Sequence, residues 1–169
     1  MPEQTPPAPR LNPELCRGRK QKPYRAPEGL IAAANAALHL QAPLLLCGEP
    51  GCGKTDFAWA AASGLGWPAP QVCHVRSDTR ARDLLYHYDA LRRFADAQHG
   101  EVAQRQRAAW PHPYIELQPL GRALLSAQPQ VVLIDEIDKA PRDLPNDLLW
   151  ELDRGEFEIT EIGPDEPPL

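Results

Sequence analysis

Two periods of apolar positions alternate along the chain. Residues 28–40 place Leu30, Ala33, Ala34, Ala37 and Leu40 at helical spacing, and Pro27 with Glu28 favours a helix start there. Pro43 blocks continuation of that helix. Leu44, Leu45, Leu46 and Cys47 then form a short continuous apolar run, the pattern of a strand buried on both faces. A helix is expected from Asp56 to Ala62, a weaker strand over Val72 to Val75, and one long helix from Thr79 to Ala97 with Leu84, Leu85, Tyr88, Leu91 and Ala95 on one side. Residues 98–114, with Gly100, Trp110, Pro111 and Pro113, carry no period and read as an insertion or loop. A short helix follows over Leu120 to Ala127. Val131, Val132, Leu133 and Ile134 then form the most β-branched apolar run of the chain, a strand ending at Asp135 and Glu136. Helix alternating with strand predicts an α/β fold with a parallel sheet.

Composition sharpens the ends of this picture. The chain has 169 residues, 43% of them hydrophobic and 24% charged, enough for one domain of ordinary size. Its 20 prolines gather at the termini, seven of them within residues 1–27, where large apolar residues are few. That composition predicts a flexible, Pro-rich arm over 1–27, with Arg17, Arg19, Lys20, Lys22 and Arg25 as a solvated basic run. A core over 28–162 and a tail or interrupted loop over 163–169 complete the expected organisation. A net charge of −5 supplies no global positive field for nucleic acid. No stretch nears the roughly 18 consecutive apolar residues of a membrane span, and the N-terminus lacks the apolar run of an export signal, so a cytoplasmic chain is expected. Cys16, Cys47, Cys52 and Cys73 form no CxxC pair and read as reduced thiols. Trp59 and Trp150 read as core fillers, and Asp138 with Lys139 as a solvated turn.

The chemistry begins at Gly48-Glu49-Pro50-Gly51-Cys52-Gly53-Lys54-Thr55, after the expected strand and before the helix that Asp56 opens. This is a P-loop in its required context. Glycines let the backbone approach a phosphate, and successive N–H groups at a helix N-terminus face the anion. Lys54 is placed to reach the β- and γ-phosphates, and the Thr55 hydroxyl to ligate Mg²⁺. The strand ending at Asp135 and Glu136 supplies the second half. Open parallel sheets bind ligands at the strand C-termini, so Asp135 is suited to the Mg²⁺ shell and Glu136 to polarising a water for attack on the γ-phosphate.

Together, APLLLCGEPGCGKT (42–55) and VVLIDEIDKAP (131–141) resemble the AAA+ ATPases, and within them the MoxR-like group. The likeness extends through Ser77-Asp78-Thr79, DLLYHYD (83–89) and NDLLWELDRGEFEI (146–159). It implies a P-loop NTPase fold of three α/β/α layers around a parallel sheet, binding ATP with Mg²⁺ through Gly48 to Asp56. It also implies a hexameric homo-oligomer that couples hydrolysis to remodelling or maturing partner proteins, often ones with a von Willebrand factor A domain. Glu28 to Leu40 would lie near the adenine pocket, and Glu156 to Ile162 would form the strand or hairpin before the next core strand. The later sensor, arginine-finger and lid segments of such domains are not found, so the resemblance implies a core incomplete at its C-terminal end. The other readings are a nucleotide-binding module that does not turn over and, more distantly, a P-loop kinase. Exchanging Glu136 for Gln distinguishes turnover from binding alone.

Overall fold

The structure, a computed structural model, describes residues 9–164, 166, 167 and 169. Residues 1–8 of the expected arm, and Asp165 and Pro168 of the expected tail, lie outside the described residues. Two compact units form, one from the segment up to Gln71 with Gln128–Leu133, the other from Val72–Ala127 with Ile134 onward.

In the first unit, α1 spans Glu28–Leu40, with Pro27 before its first turn and Gln41 closing it in the left-handed region. The Gln41 amide bonds back to Leu38 and the Ala42 amide to Ala37. Helix α2, Lys54–Leu65, runs between Gly53 and Gly66, both at positive φ, and buries Phe57, Ala58, Ala60, Ala61, Ala62 and Gly64. Leu11, Cys16, Ala34, Phe57, Ala60 and Ala61 form the core, with Tyr24, Leu30 and Ile31 packed against it.

That packing corrects the expected flexibility of residues 9–27. Leu11 and Cys16 are only 2% and 1% exposed. Asn12 donates its amide to the Gly64 carbonyl at 2.9 Å, Arg17 donates its amide to Ser63 Oγ at 2.7 Å, and an antiparallel bridge joins Arg17 to Pro23. A turn through Gln21 at φ 59° closes this small hairpin. The reason is the flatness of α2. A side chain at Gly64 would meet Cys16 Sγ at 2.9 Å and the Asn12 carbonyl at 3.0 Å, so the alanine and glycine surface admits backbone where bulkier residues would exclude it.

Strand β1 is Gln71–His74. It pairs with the strand that ends at Asp135, named β4 below, through bonds from the Gln71 amide to the Val131 carbonyl at 2.9 Å and from the Val75 amide to the Asp135 carbonyl at 3.2 Å. Both strands advance four residues between the two bonds, so the pair is parallel. Leu44 to Cys47 is not part of it. This segment has no assigned strand, and Leu45 is 71% exposed, which corrects the expectation of a doubly buried strand. Apolar composition alone forms no strand where no neighbouring ladder satisfies the backbone.

The second unit breaks the expected long helix in two. Helix α3, Ala81–Leu85, gives way to β2, Tyr86–Tyr88, and helix α4 starts afresh at Ala90–His99 with Asp89 accepting the Arg92 amide at 2.9 Å. Helix α5, Val102–Ala108, lies where an irregular segment was expected, started by a capping box between Glu101 and Gln104. Strand β3, Ile115–Leu117, pairs antiparallel with β2, setting Tyr86 opposite Leu117 and Tyr88 opposite Ile115. Helix α6 is Pro119–Leu124, β4 is Val132–Asp135, and α7 (Leu144–Asp147) and α8 (Leu149–Arg154) follow a 3-10 turn over Ile137–Lys139. Residues 156–162 contain no strand, against the expectation carried by the resemblance. Trp150 is 49% exposed and is not a core filler, and Trp59 is half-buried beneath the Arg19 guanidinium, 5.2 Å from its ring centre. The fold class is α/β with a parallel strand pair, as the alternation predicts.

Candidate functional site

Residues 48–56 form a loop that turns directly into α2. Gly51 at φ 80° and Gly53 at φ 90° occupy left-handed backbone, and nothing lies within 4 Å of where a side chain at Gly51 would project. Only glycine holds such positions without strain and lets an anion approach the main chain closely. The first-turn amides of α2 have no carbonyl one turn earlier in the helix, so the positive end of a twelve-residue helix opens toward the loop. Gly48, Glu49, Pro50, Gly51 and Cys52 are exposed, Gly53, Lys54 and Thr55 half-buried, and Asp56 exposed at the helix start.

Lys54 is folded onto its own loop. Its Nζ donates to the Gly48 carbonyl at 2.7 Å and the Glu49 carbonyl at 2.8 Å, and lies 3.7 Å from Cys52 Sγ. The ammonium is therefore held against the loop by groups that an incoming phosphate oxygen can replace with a full negative charge. Tyr24 supports the same loop from the N-terminal hairpin, donating its hydroxyl to the Gly53 carbonyl at 3.2 Å while its ring packs toward Phe57. A cavity of about 350 Å³ beside it is bordered by Arg19, Lys20, Lys22, Tyr24 and Asp56. Sequence reasoning did not place Tyr24 or this basic hairpin at the P-loop. The visible signal was the cluster of cations itself, read there as solvated.

In the other unit, β4 delivers Asp135 half-buried at its end, and the next residue turns sharply. Glu136 adopts φ 61° and ψ 37°, a left-handed conformation uncommon for a residue with a side chain. Its amide donates to Asp135 Oδ1 at 3.2 Å, and its carboxylate meets Lys139 Nζ at 2.7 Å. The hydrogen bond from Lys139, reinforced by that charge and more weakly by His74, holds the Glu136 carboxyl below the usual carboxylate range. Lys139 is pushed up in turn, chiefly by the same hydrogen bond. Asp138 and Lys139 lie on an exposed turn as expected, and Lys139 in addition pairs with the Glu136 carboxylate.

The donor set suits the expected groups. Open main chain at Gly51, a helix N-terminus and an ammonium match phosphates, while a hydroxyl from Thr55 and a carboxylate from Asp135 are hard oxygen ligands of the kind Mg²⁺ takes. The loop residues Gly48 to Asp56 come together in one unit, and Asp135 with Glu136 in the other.

The family model described as AAA domain (dynein-related subfamily) matches residues 43–167. The chain belongs to that AAA family. No curated protein and no solved structure matches it. Membership makes this chain one of a class of nucleotide-binding ATPase domains that commonly assemble as oligomeric rings. In this AAA chain the matched span contains the P-loop, β1 to β4 and the Asp135-Glu136 pair, whereas Tyr24 and the N-terminal hairpin precede it. No helix among the described residues is long and apolar enough to cross a membrane.

Proposed function

We propose that this chain binds ATP with Mg²⁺ and hydrolyses it, as part of a MoxR-like ring that remodels or matures partner proteins in the cytoplasm, including partners with a von Willebrand factor A domain. The observation that carries the reading is the P-loop geometry, with Lys54 held over left-handed glycines at the start of α2. Gly48 to Asp56 bind the triphosphate, with Lys54 exchanging the Gly48 and Glu49 carbonyls for phosphate oxygens. Thr55 and Asp135 would hold the metal, which supplies charge neutralisation at the phosphates. Glu136, ionised at neutral pH, accepts the proton of the attacking water. Its ion pair with Lys139 is exposed and screened by solvent, so turning away from Lys139 costs little against the chemical barrier.

Lys54→Ala is expected to abolish ATP binding, read by equilibrium titration with a fluorescent ATP analogue. Glu136→Gln is expected to bind ATP normally and to lose phosphate release by about 10²- to 10⁴-fold, the range a general base contributes. Unchanged turnover in Glu136→Gln would overturn the assignment of the base. A nucleotide-binding module that does not turn over predicts instead no phosphate release from the wild-type protein either.

A further inference from the structure

Helix α4 is inverted. An amphipathic helix ordinarily turns its apolar stripe to the protein and its charges to water. In α4 the two half-buried positions are Arg93 and Asp96, and both are tied down. Arg93 donates through Nε to the Ala108 carbonyl at 2.9 Å and through a terminal nitrogen to the Tyr88 hydroxyl at 2.8 Å, while Asp96 accepts the Tyr114 hydroxyl at 2.8 Å. No side chain of α4 is fully buried. Leu91 and Phe94, neighbours on the helix surface, are 83% and 63% exposed, and Val102 at the start of α5 is 62% exposed. Rolling the helix to bury Leu91 and Phe94 would break the bonds of Arg93 and Asp96 and strand the hydroxyl of Tyr114, itself only 3% exposed. The outward apolar face is thus fixed by the polar contacts beneath it.

A second apolar patch lies on α8, where Leu149 and Trp150 are 50% and 49% exposed. The two patches differ in sign. Around the first, within residues 90–109, the exposed charges are Arg92, Arg105 and Arg107 against Glu101. Around the second, within residues 143–158, they are Asp143, Asp147, Asp153, Glu156 and Glu158 against Arg154. None of these residues is among those assigned to nucleotide or metal.

We infer that the α4 face of one copy of this chain is covered by the α8 face of a second copy. Adjoining apolar side chains held outward mark an interaction surface, and an apolar centre with a charged rim is the ordinary anatomy of one. The rims choose the occupant. Two α4 faces set together would oppose arginine to arginine, and two α8 faces carboxylate to carboxylate, whereas α4 against α8 brings Leu91 and Phe94 to Leu149 and Trp150 with a basic rim on an acidic one. Because the two surfaces are different, the contact is head-to-tail and leaves one surface of each kind open, so it extends to a ring or a filament. The inference is independent of the roles given to Lys54, Asp135 and Glu136.

The test is sedimentation of the full chain without nucleotide, from about 1 μM to about 500 μM, a range that spans weak and moderate association. Wild type is expected to self-associate with rising concentration, and less so as added salt screens the rims. Phe94→Asp on α4 and, separately, Leu149→Asp on α8 should each move association at least about tenfold to higher concentration, with unchanged circular dichroism reporting that the variants are folded. Leu91→Ser and Asp153→Arg repeat the two arms should either of the first pair misfold. The deciding sample is an equimolar mixture of Phe94→Asp and Leu149→Asp. One chain keeps an intact α8 face and the other an intact α4 face, so the mixture should form heterodimers and nothing larger. A wild type that stays monomeric throughout, association undiminished by the α4 variants, α8 variants that associate as wild type does, or a mixture without heterodimers would overturn the inference. The third of these outcomes would assign the α4 face to an identical face of the second copy.

Discussion

Cys73 shows how far burial alone can set the chemistry of one side chain. It is 3% exposed on β1, and desolvation pushes its thiol up to about 11, with the Leu120 backbone and Arg122 pulling only partly in the other direction. Cys16, 1% exposed, is raised by the same cause, whereas Cys47 and Cys52 are exposed. The thiolate is the nucleophile, and at pH 8 a thiol three units below its pKa is ionised in only about one molecule in a thousand. Iodoacetamide at pH 8 is therefore expected to alkylate Cys47 and Cys52 in the native chain and to spare Cys73 and Cys16 until denaturant is added, as read by peptide mass mapping. Equal native labelling of Cys73 and Cys47 would refute the burial argument. The linkage has a definite sign. The unfolded thiol ionises near 9.0 and the folded one near 11, so between these values the folded chain holds more protons. The stability this thiol contributes is full below pH 9 and declines as pH rises from 9 to 11.

At the scale of elements, the tightest joint is where α6 crosses the end of α3. The Leu85 carbonyl accepts the Gln118 amide at 2.9 Å, and a methyl at Gly121 would fall on that carbonyl, with the Leu85 carbonyl carbon at 2.9 Å. Alanine gains about 1 kcal/mol over glycine in helix propensity. Here the obstructing atoms are backbone and cannot swing aside, so Gly121→Ala should destabilise the chain by about 1–3 kcal/mol net, measured by urea denaturation. A neutral or stabilising outcome would mean that α3 and α6 are not held this closely. The same contrast between local and distant determinants explains what the sequence made legible. Helix α1 was legible to the residue because Pro27 and Pro43 bracket it, and β4 because its β-branched run stops at two acids. Strand β2 was hidden, since Tyr88 also fits a helical period and only pairing with β3, far along the chain, selects the extended form. Leu44 to Cys47 shows the converse, a strand-like run with no ladder. In the candidate site, Gly48 to Asp56 and Asp135-Glu136 were readable because each is contiguous. Tyr24 was not, because it reaches Gly53 only through the packing of a hairpin on Gly64 and the alanines of α2.

For the molecule as a whole, the division into two units separates what nucleotide should order from what metal should order. The P-loop, α2 and the hairpin that carries Tyr24 belong to one unit, and Asp135, Glu136 and Lys139 to the other. A ligand that binds only the folded state stabilises it by RT ln(1 + [L]/Kd), about 2.7 kcal/mol at a hundredfold excess over Kd, or about a hundredfold slower exchange of amides that open with the site. Under the proposed roles, ATP in the presence of a metal chelator should slow hydrogen exchange across residues 48–57 and 12–24, since Lys54 changes partners there and the Gly53 carbonyl holds Tyr24. Residues 132–139 should be unaffected under those conditions, because Asp135 is assigned to the metal and Glu136 to a water rather than to the nucleotide itself. Adding Mg²⁺ should extend protection to 132–139 in the wild-type chain, and Asp135→Ala should cancel that extension while leaving the response of 48–57 in place. If chelated ATP protects both regions equally, Asp135 is not what connects them, and its role as a metal ligand fails. If Mg²⁺ adds nothing to 132–139 in wild type, the strand-end carboxylates do not join the P-loop in binding Mg·ATP, and the assignment of Glu136 as the base falls with them.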